Sequence, residues 1–189
     1  MDIYTNLRKS LWRATAKSLQ EYFPTTDTQN KGIIFSHGNG AESSSPYVVI
    51  NILGHTQQGR SEVASTTNET FELIYQTSYE VSVQYSFIGS TSGDIAHLFS
   101  QRMNGGNPFA LESFRKENLG YMRKSEIRRA PQKRDTKWVE RFNQDFVFSY
   151  NIRTTQVVDW IESVILENQI IDPSETFTCL LYTSDAADD

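Results

Sequence analysis

The clearest pattern along the chain is an alternation. From Phe71 the odd positions read Phe71, Leu73, Tyr75, Thr77, Tyr79, Val81, Val83, Tyr85 and Phe87, against Glu72, Ile74, Gln76, Ser78, Glu80, Ser82, Gln84, Ser86 and Ile88. Period two is the signature of a strand with one buried face. At about 3.4 Å per residue such a strand approaches about 55 Å, longer than a domain of this size is wide. Residues 47–53 are strongly apolar and run on through the polar 55–60, so the two runs pair as a long antiparallel hairpin with its tip near 64–68. Two arrangements accommodate that length. Either the distal half leaves the body and needs another surface to cover it, or a bulged, bent strand stays on the body.

Helical spacing appears first at the N-terminus, where Ile3, Leu7, Leu11, Ala14, Thr15, Leu19 and Tyr22 share a face over residues 3–23 and Pro24 ends the run. The apolar stripe is modest, which favours packing on a core over lying on a membrane. Residues 32–35 read as a short strand, and the glycine and serine loop 36–45 matches neither phosphate-binding spacing. A helix from Asp94 to Met103, capped by Ser92 or Thr91, is stopped by Asn104-Gly105-Gly106. A further helix follows with Asn107 as N-cap, Pro108 as first helical residue, and Gly120 in the left-handed C-terminal position. Residues 121–129, 142–152 and 157–165 then read as strands. The order is helix, three strands, two helices, three strands. It predicts an α+β fold, a largely antiparallel sheet with the N-terminal helix and the two central helices on one face and a long β-hairpin.

At 189 residues and 21.7 kDa the chain suits one domain, placed at 1–178. The last eleven residues, 179–189, read as a translated sequencing adapter, a non-native tail. Without them the acidic residues fall from 23 to 20, the net charge from -5 to -2, and the only cysteine is lost. Thiol chemistry goes with it. No apolar run reaches the roughly 20 residues of a bilayer span, and the N-terminus lacks a cationic segment followed by an apolar one, so no membrane partner and no export are expected.

Catalytic patterns are missing. His37, His55 and His97 fall in a loop, a strand and a helix without metal-ligand spacing, so no cofactor or metal is expected. Gly89-Ser90-Thr91-Ser92-Gly93 has threonine where a nucleophile elbow needs serine, and reads as a helix cap. Asp159 and Glu162, three apart in an expected strand, point to opposite faces and cannot share a reaction. Charge is nevertheless segregated. Residues 121–141 hold Arg123, Lys124, Arg128, Arg129, Lys133, Arg134, Lys137 and Arg141 against Glu126, Asp135 and Glu140, a net +5. A solvated strand-and-loop face, an acidic protein partner and a phosphate partner all fit that segment.

Four stretches resemble one family together: Pro46-Tyr47-Val48, Gly59-Arg60-Ser61-Glu62-Val63, Arg141-Phe142-Asn143-Gln144-Asp145-Phe146 and Ile161-Glu162-Ser163-Val164. In order and spacing they resemble the phage neck and tail-terminator family over residues 3–168. The basic stretch 128–137 and the serine-rich loop before Pro46 depart from it. The resemblance implies a structural, non-enzymatic virion protein made in the host cytoplasm. It would form a homo-oligomeric ring, commonly hexameric, at the head-proximal end of the tail tube, ending tube growth and contacting the tail tube and head connector proteins. On that reading Arg60, Glu62, Val63, Phe71 and Leu73 are expected at subunit contacts, and Arg123, Lys124, Arg128, Arg129, Lys133 and Arg134 at an acidic protein partner rather than DNA. The rivals are a nucleic-acid-binding module using 123–141 and a hydrolase with a scattered site.

Overall fold

The computed structural model describes residues 3–24, 32–36, 46–67, 72–106, 108–134 and 136–157. Helix α1 (Ile3–Ser18) is followed by β1 (Ile33–Phe35), β2 (Tyr47–Thr67) and β3 (Glu72–Ile88). Next come α2 (Ser92–Gln101), a π-helical turn (Arg102–Gly106) and α3 (Pro108–Lys116). The chain then forms β4 (Leu119–Lys124), β5 (Arg128–Arg129), β6 (Gln132–Arg134), β7 (Lys137–Val139) and β8 (Arg141–Val157). The main sheet has the order β1-β2-β3-β8-β4, with β5 also on β8, and β6 and β7 form a separate hairpin. Only β1 is parallel to its neighbour. This is the expected α+β architecture.

The alternation of β3 decides which face is buried. Val81, Val83, Tyr85 and Phe87 are fully buried, and so are Phe146 and Phe148 on β8, which lie opposite Val83 and Val81. All three helices cover this face: the Tyr85 hydroxyl is 3.1 Å from that of Thr15 on α1, its ring is 5.0 Å from Phe99 on α2, and Phe114 of α3 stacks on Phe148 at 5.0 Å. Each such ring contributes roughly 1.5–3 kcal/mol by leaving water. A one-residue slip would carry the whole set to the other face.

Several local details differ from the sequence reading. Helix α1 ends at Ser18, not residue 23; turns closed by Leu19 N–H on the Thr15 carbonyl and Phe23 N–H on the Leu19 carbonyl still bring Leu19 and Phe23 into the core. A Cβ on Gly32 would overlap the Phe23 ring, so only glycine lets the chain pass there. Asn104-Gly105-Gly106 does not stop α2 outright, because a π-helical turn extends it to Gly106. The left-handed residue after α3 is Asn118, at φ 60, and not Gly120. Asparagine tolerates that region, and Gly120 lies in β4 where a Cβ would meet the Ser149 hydroxyl. The strand expected over 121–129 is broken at 125–127 into β4 and β5, both on β8. Asn107, the expected cap, and the strand expected at 157–165 lie outside the described residues save for Val157.

Candidate interaction surface

The second strand of the hairpin has the length its alternation predicted, the first runs on to Thr67, and the hairpin has a third member. Strand β8 pairs with β3 in unbroken register over all 17 residues, from Arg141 opposite Ile88 to Val157 opposite Glu72. Strand β2 takes 21 residues to cover the same span, with register shifts after Ile52, Gln58 and Val63 and Gly59 at φ 70 in the second of them. Bulges on one strand only make it coil around the straighter pair. Full burial on β3 ends at Val81, Ile74 to Glu80 are half-buried, and residues 53–60 of β2 are exposed. The distal part is therefore a three-stranded arm running past the helices.

Cross-strand partners share a face. The face that is core at Val81 continues outward through Tyr79 opposite Tyr150, Thr77 opposite Ile152, and Tyr75 opposite Thr154. Its half-buried apolar members Tyr75, Tyr79 and Ile152 extend the stripe beyond the fully buried core. Of the residues expected at subunit contacts, Arg60 is exposed, Glu62 and Val63 lie opposite Gln76 and Tyr75, and Leu73 lies between Thr66 and Gln156. These four belong to one arm. Phe71 lies outside the described residues.

The basic residues divide into three groups. Arg123 pairs with Glu80, Arg128 with Asp145 and Arg129 with Glu140, all three arginines exposed. Gln84 also donates to Asp145 at 3.0 Å and Arg141 to the Ser86 hydroxyl at 3.0 Å, so a polar network that includes the Arg123 and Arg128 pairs covers the helix-free face of the sheet. Lys124 points the other way. Its ammonium donates to the Ser100 carbonyl at 2.7 Å and lies 2.6 Å from the Ser100 hydroxyl, and loss of water lowers its pKa. That serine also accepts from Gln144 at 3.1 Å, which makes Lys124 a tie between β4 and α2. The third group sits on the β6–β7 hairpin, where Lys133 and Lys137 are exposed and Trp138, opposite Lys133, is 70% exposed. Trp138 was missed by the charge reading. Its signal was an aromatic side chain amid a basic polar stretch, where no apolar periodicity asks for one.

Among the described residues no group of three His, Cys, Asp or Glu could hold a metal ion, and no described helix is long and apolar enough to cross a membrane. His55 packs its ring 6.0 Å from Tyr79, and His97 is exposed on α2. Ser92 donates to the Gly89 carbonyl at 2.6 Å, so the glycine-flanked run is a turn leading into α2. His37, Asp159 and Glu162 lie outside the described residues.

An α+β body with a three-stranded arm, a salt-bridged sheet face and an exposed basic hairpin has the layout of a protein that acts through contact surfaces. Comparison with known families agrees: the family described as phage neck terminator protein matches residues 2–174, and the chain belongs to it. The family is structural, with a role in joining tail and head at the virion neck. No curated protein matches the chain.

Proposed function

We propose that the protein forms a homo-oligomeric ring, hexameric as the family resemblance implies, at the head-proximal end of the tail tube. There it ends tube growth, presents a surface to the head connector, and carries out no reaction. It assembles in the host cytoplasm and remains in the neck of the virion. The observation that supports this best is the arm, because Tyr79 and Ile152, half-buried at the outer margin of the core, and Tyr75 beyond them carry the core face outward, and a neighbouring subunit would cover what they leave exposed. Arg60, Glu62, Val63, Phe71 and Leu73 would then lie at the subunit contact.

Deleting residues 60–70 tests the reading. Beyond Arg60, β2 pairs with Glu72 to Gln76 of β3, outside the fully buried part of that strand, so a monomer with cooperative melting is expected, while light scattering should detect no ring. Rings of unchanged mass on tail tubes would remove the arm from the contact.

The basic segment is assigned to an acidic protein surface on the tube or connector. Lys133 and Lys137 lead that contact, since Arg123, Arg128 and Arg129 share their charge with carboxylates and Lys124 is tied to Ser100. Tight binding of DNA in a ring lumen would oppose its passage. One observation favours the nucleic-acid reading: an exposed tryptophan beside lysines is also a platform on which bases stack.

A further inference from the structure

A second surface lies where α1 meets the β1 edge of the sheet. Thr5, Arg8, Lys9, Trp12 and Arg13 of α1 line, with Phe35 of β1, a groove of about 350 Å³. Helical spacing puts the five on one side of α1, and β1 is the outer strand of the sheet. The Trp12 indole N–H donates to the Ile33 carbonyl at 3.1 Å, which closes this part of the strand edge to an added strand and fixes the indole in the groove wall. The Arg8 guanidinium lies 4.5 Å from the centre of the Phe35 ring. Arg8 and Lys9 have no carboxylate partner among the described residues, and Arg13 reaches Glu117 only at 3.9 Å. The groove thus offers two aromatic walls and three cations. An acidic segment with apolar side chains complements it.

Residues 158–178 have that chemistry. They carry Asp159, Glu162, Glu167, Asp172 and Glu175, no lysine or arginine, and Trp160, Ile161, Val164 and Ile165. They begin where β8 ends, at Val157 opposite Glu72 on the distal end of the arm. Phe35 sits level with Ile50 and Tyr85, near the base. The register places these levels about 44 Å apart at 3.4 Å per residue, so a return to the groove of the same subunit would consume more than half of the segment even when fully extended. A neighbouring copy whose groove lay beside the distal end of the arm would meet the segment along its whole length.

We propose that the α1 groove receives residues 158–178 of an adjacent copy of this chain, with the segment's carboxylates on Arg8 and Lys9 and its apolar side chains against Trp12 and Phe35. This rests on the ring reading and adds a second contact to it, in which each arm delivers its trailing segment to the next subunit.

Carbodiimide coupling, which joins an amine directly to a carboxylate, tests it on the full chain. Isotopically light and heavy protein are mixed, assembled, sized by light scattering and coupled, and the linked peptides are identified by mass spectrometry. The expected product joins Lys9 to an acid within 158–178 in light–heavy pairs. Its yield should fall by about tenfold in an Arg8→Gln, Arg13→Gln variant, which keeps the reporting amine but loses two of the three charges. Links confined to one isotopic chain would mean that the segment returns to its own subunit and would overturn the proposal. So would oligomers without the Lys9 link, or links that end elsewhere in the chain, and these leave the ring reading standing. Absence of any oligomer defeats both.

Discussion

Tyr85 sits fully buried beneath α1 and α2, where the Thr15 hydroxyl donates to the Leu11 carbonyl at 2.7 Å and so accepts from the tyrosine. Burial pushes the phenol well above its ordinary 10.0, the bond to Thr15 opposing only in part. A raised folded-state value means that the stability tied to the neutral phenol is complete below pH 10.0 and is lost as the pH rises above it. Tyr85→Phe should therefore cost about 1 kcal/mol at neutral pH for the lost hydrogen bond. The gap between wild type and variant should shrink and reverse on the alkaline side, as read by denaturant midpoints. A gap independent of pH up to strongly alkaline solution would contradict the assignment. At this scale the sequence is legible where a residue's role depends on its own chemistry and illegible where it depends on a distant partner. Pro108 marks the start of α3 unaided. The net +5 of 121–141, by contrast, could not reveal that Glu80 and Asp145 come from other strands to neutralise Arg123 and Arg128. Nor could it reveal that Lys124 faces inward on Ser100.

The elements follow their periodicity until polarity blurs it. The odd face of β3 could be read off because one slip would bury Glu80, Ser82, Gln84 and Ser86, and that face is the one beneath the helices. Val81 is fully buried opposite Phe148, so Val81→Asp would leave a charge without a partner in the core. The expected cost is several kcal/mol, seen as loss of the cooperative melt; a soluble variant with an unchanged midpoint would refute the facing. Strand β8 was legible only as far as residue 152. Beyond it Arg153, Thr154, Thr155 and Gln156 carry no alternation, because the pairing that extends them to Val157 is made by backbone groups of β3. The bulges of β2 were hidden for a related reason: Gly59 stands among polar residues whose exposure leaves the register unspecified.

On the scale of the whole molecule, charge is distributed between a neutralised sheet face, a basic hairpin and a basic groove. Reversing Lys133 and Lys137 to glutamate touches only exposed positions and should change the stability by no more than about 0.5 kcal/mol. Attachment to tails should weaken and lose its salt dependence, measured beside a DNA titration. Strong salt-sensitive DNA binding by the wild type, abolished in the variant while tail attachment stays intact, would transfer the hairpin to the nucleic-acid reading. The pairing of β3 with β8 has a further consequence, in time rather than space. Fifty-two residues separate Ile88 from Arg141, so during synthesis the ribosome delivers the β2–β3 hairpin and all three helices before the strand that completes the sheet. Until then one edge of β3 is open along its whole length, with Val81, Val83, Tyr85 and Phe87 beside it. Closing so distant a pair is slow compared with forming a hairpin or a helix. A nascent chain halted before residue 141 should consequently be prone to aggregate, and release of the last strand is the step at which a chaperone would act on this protein.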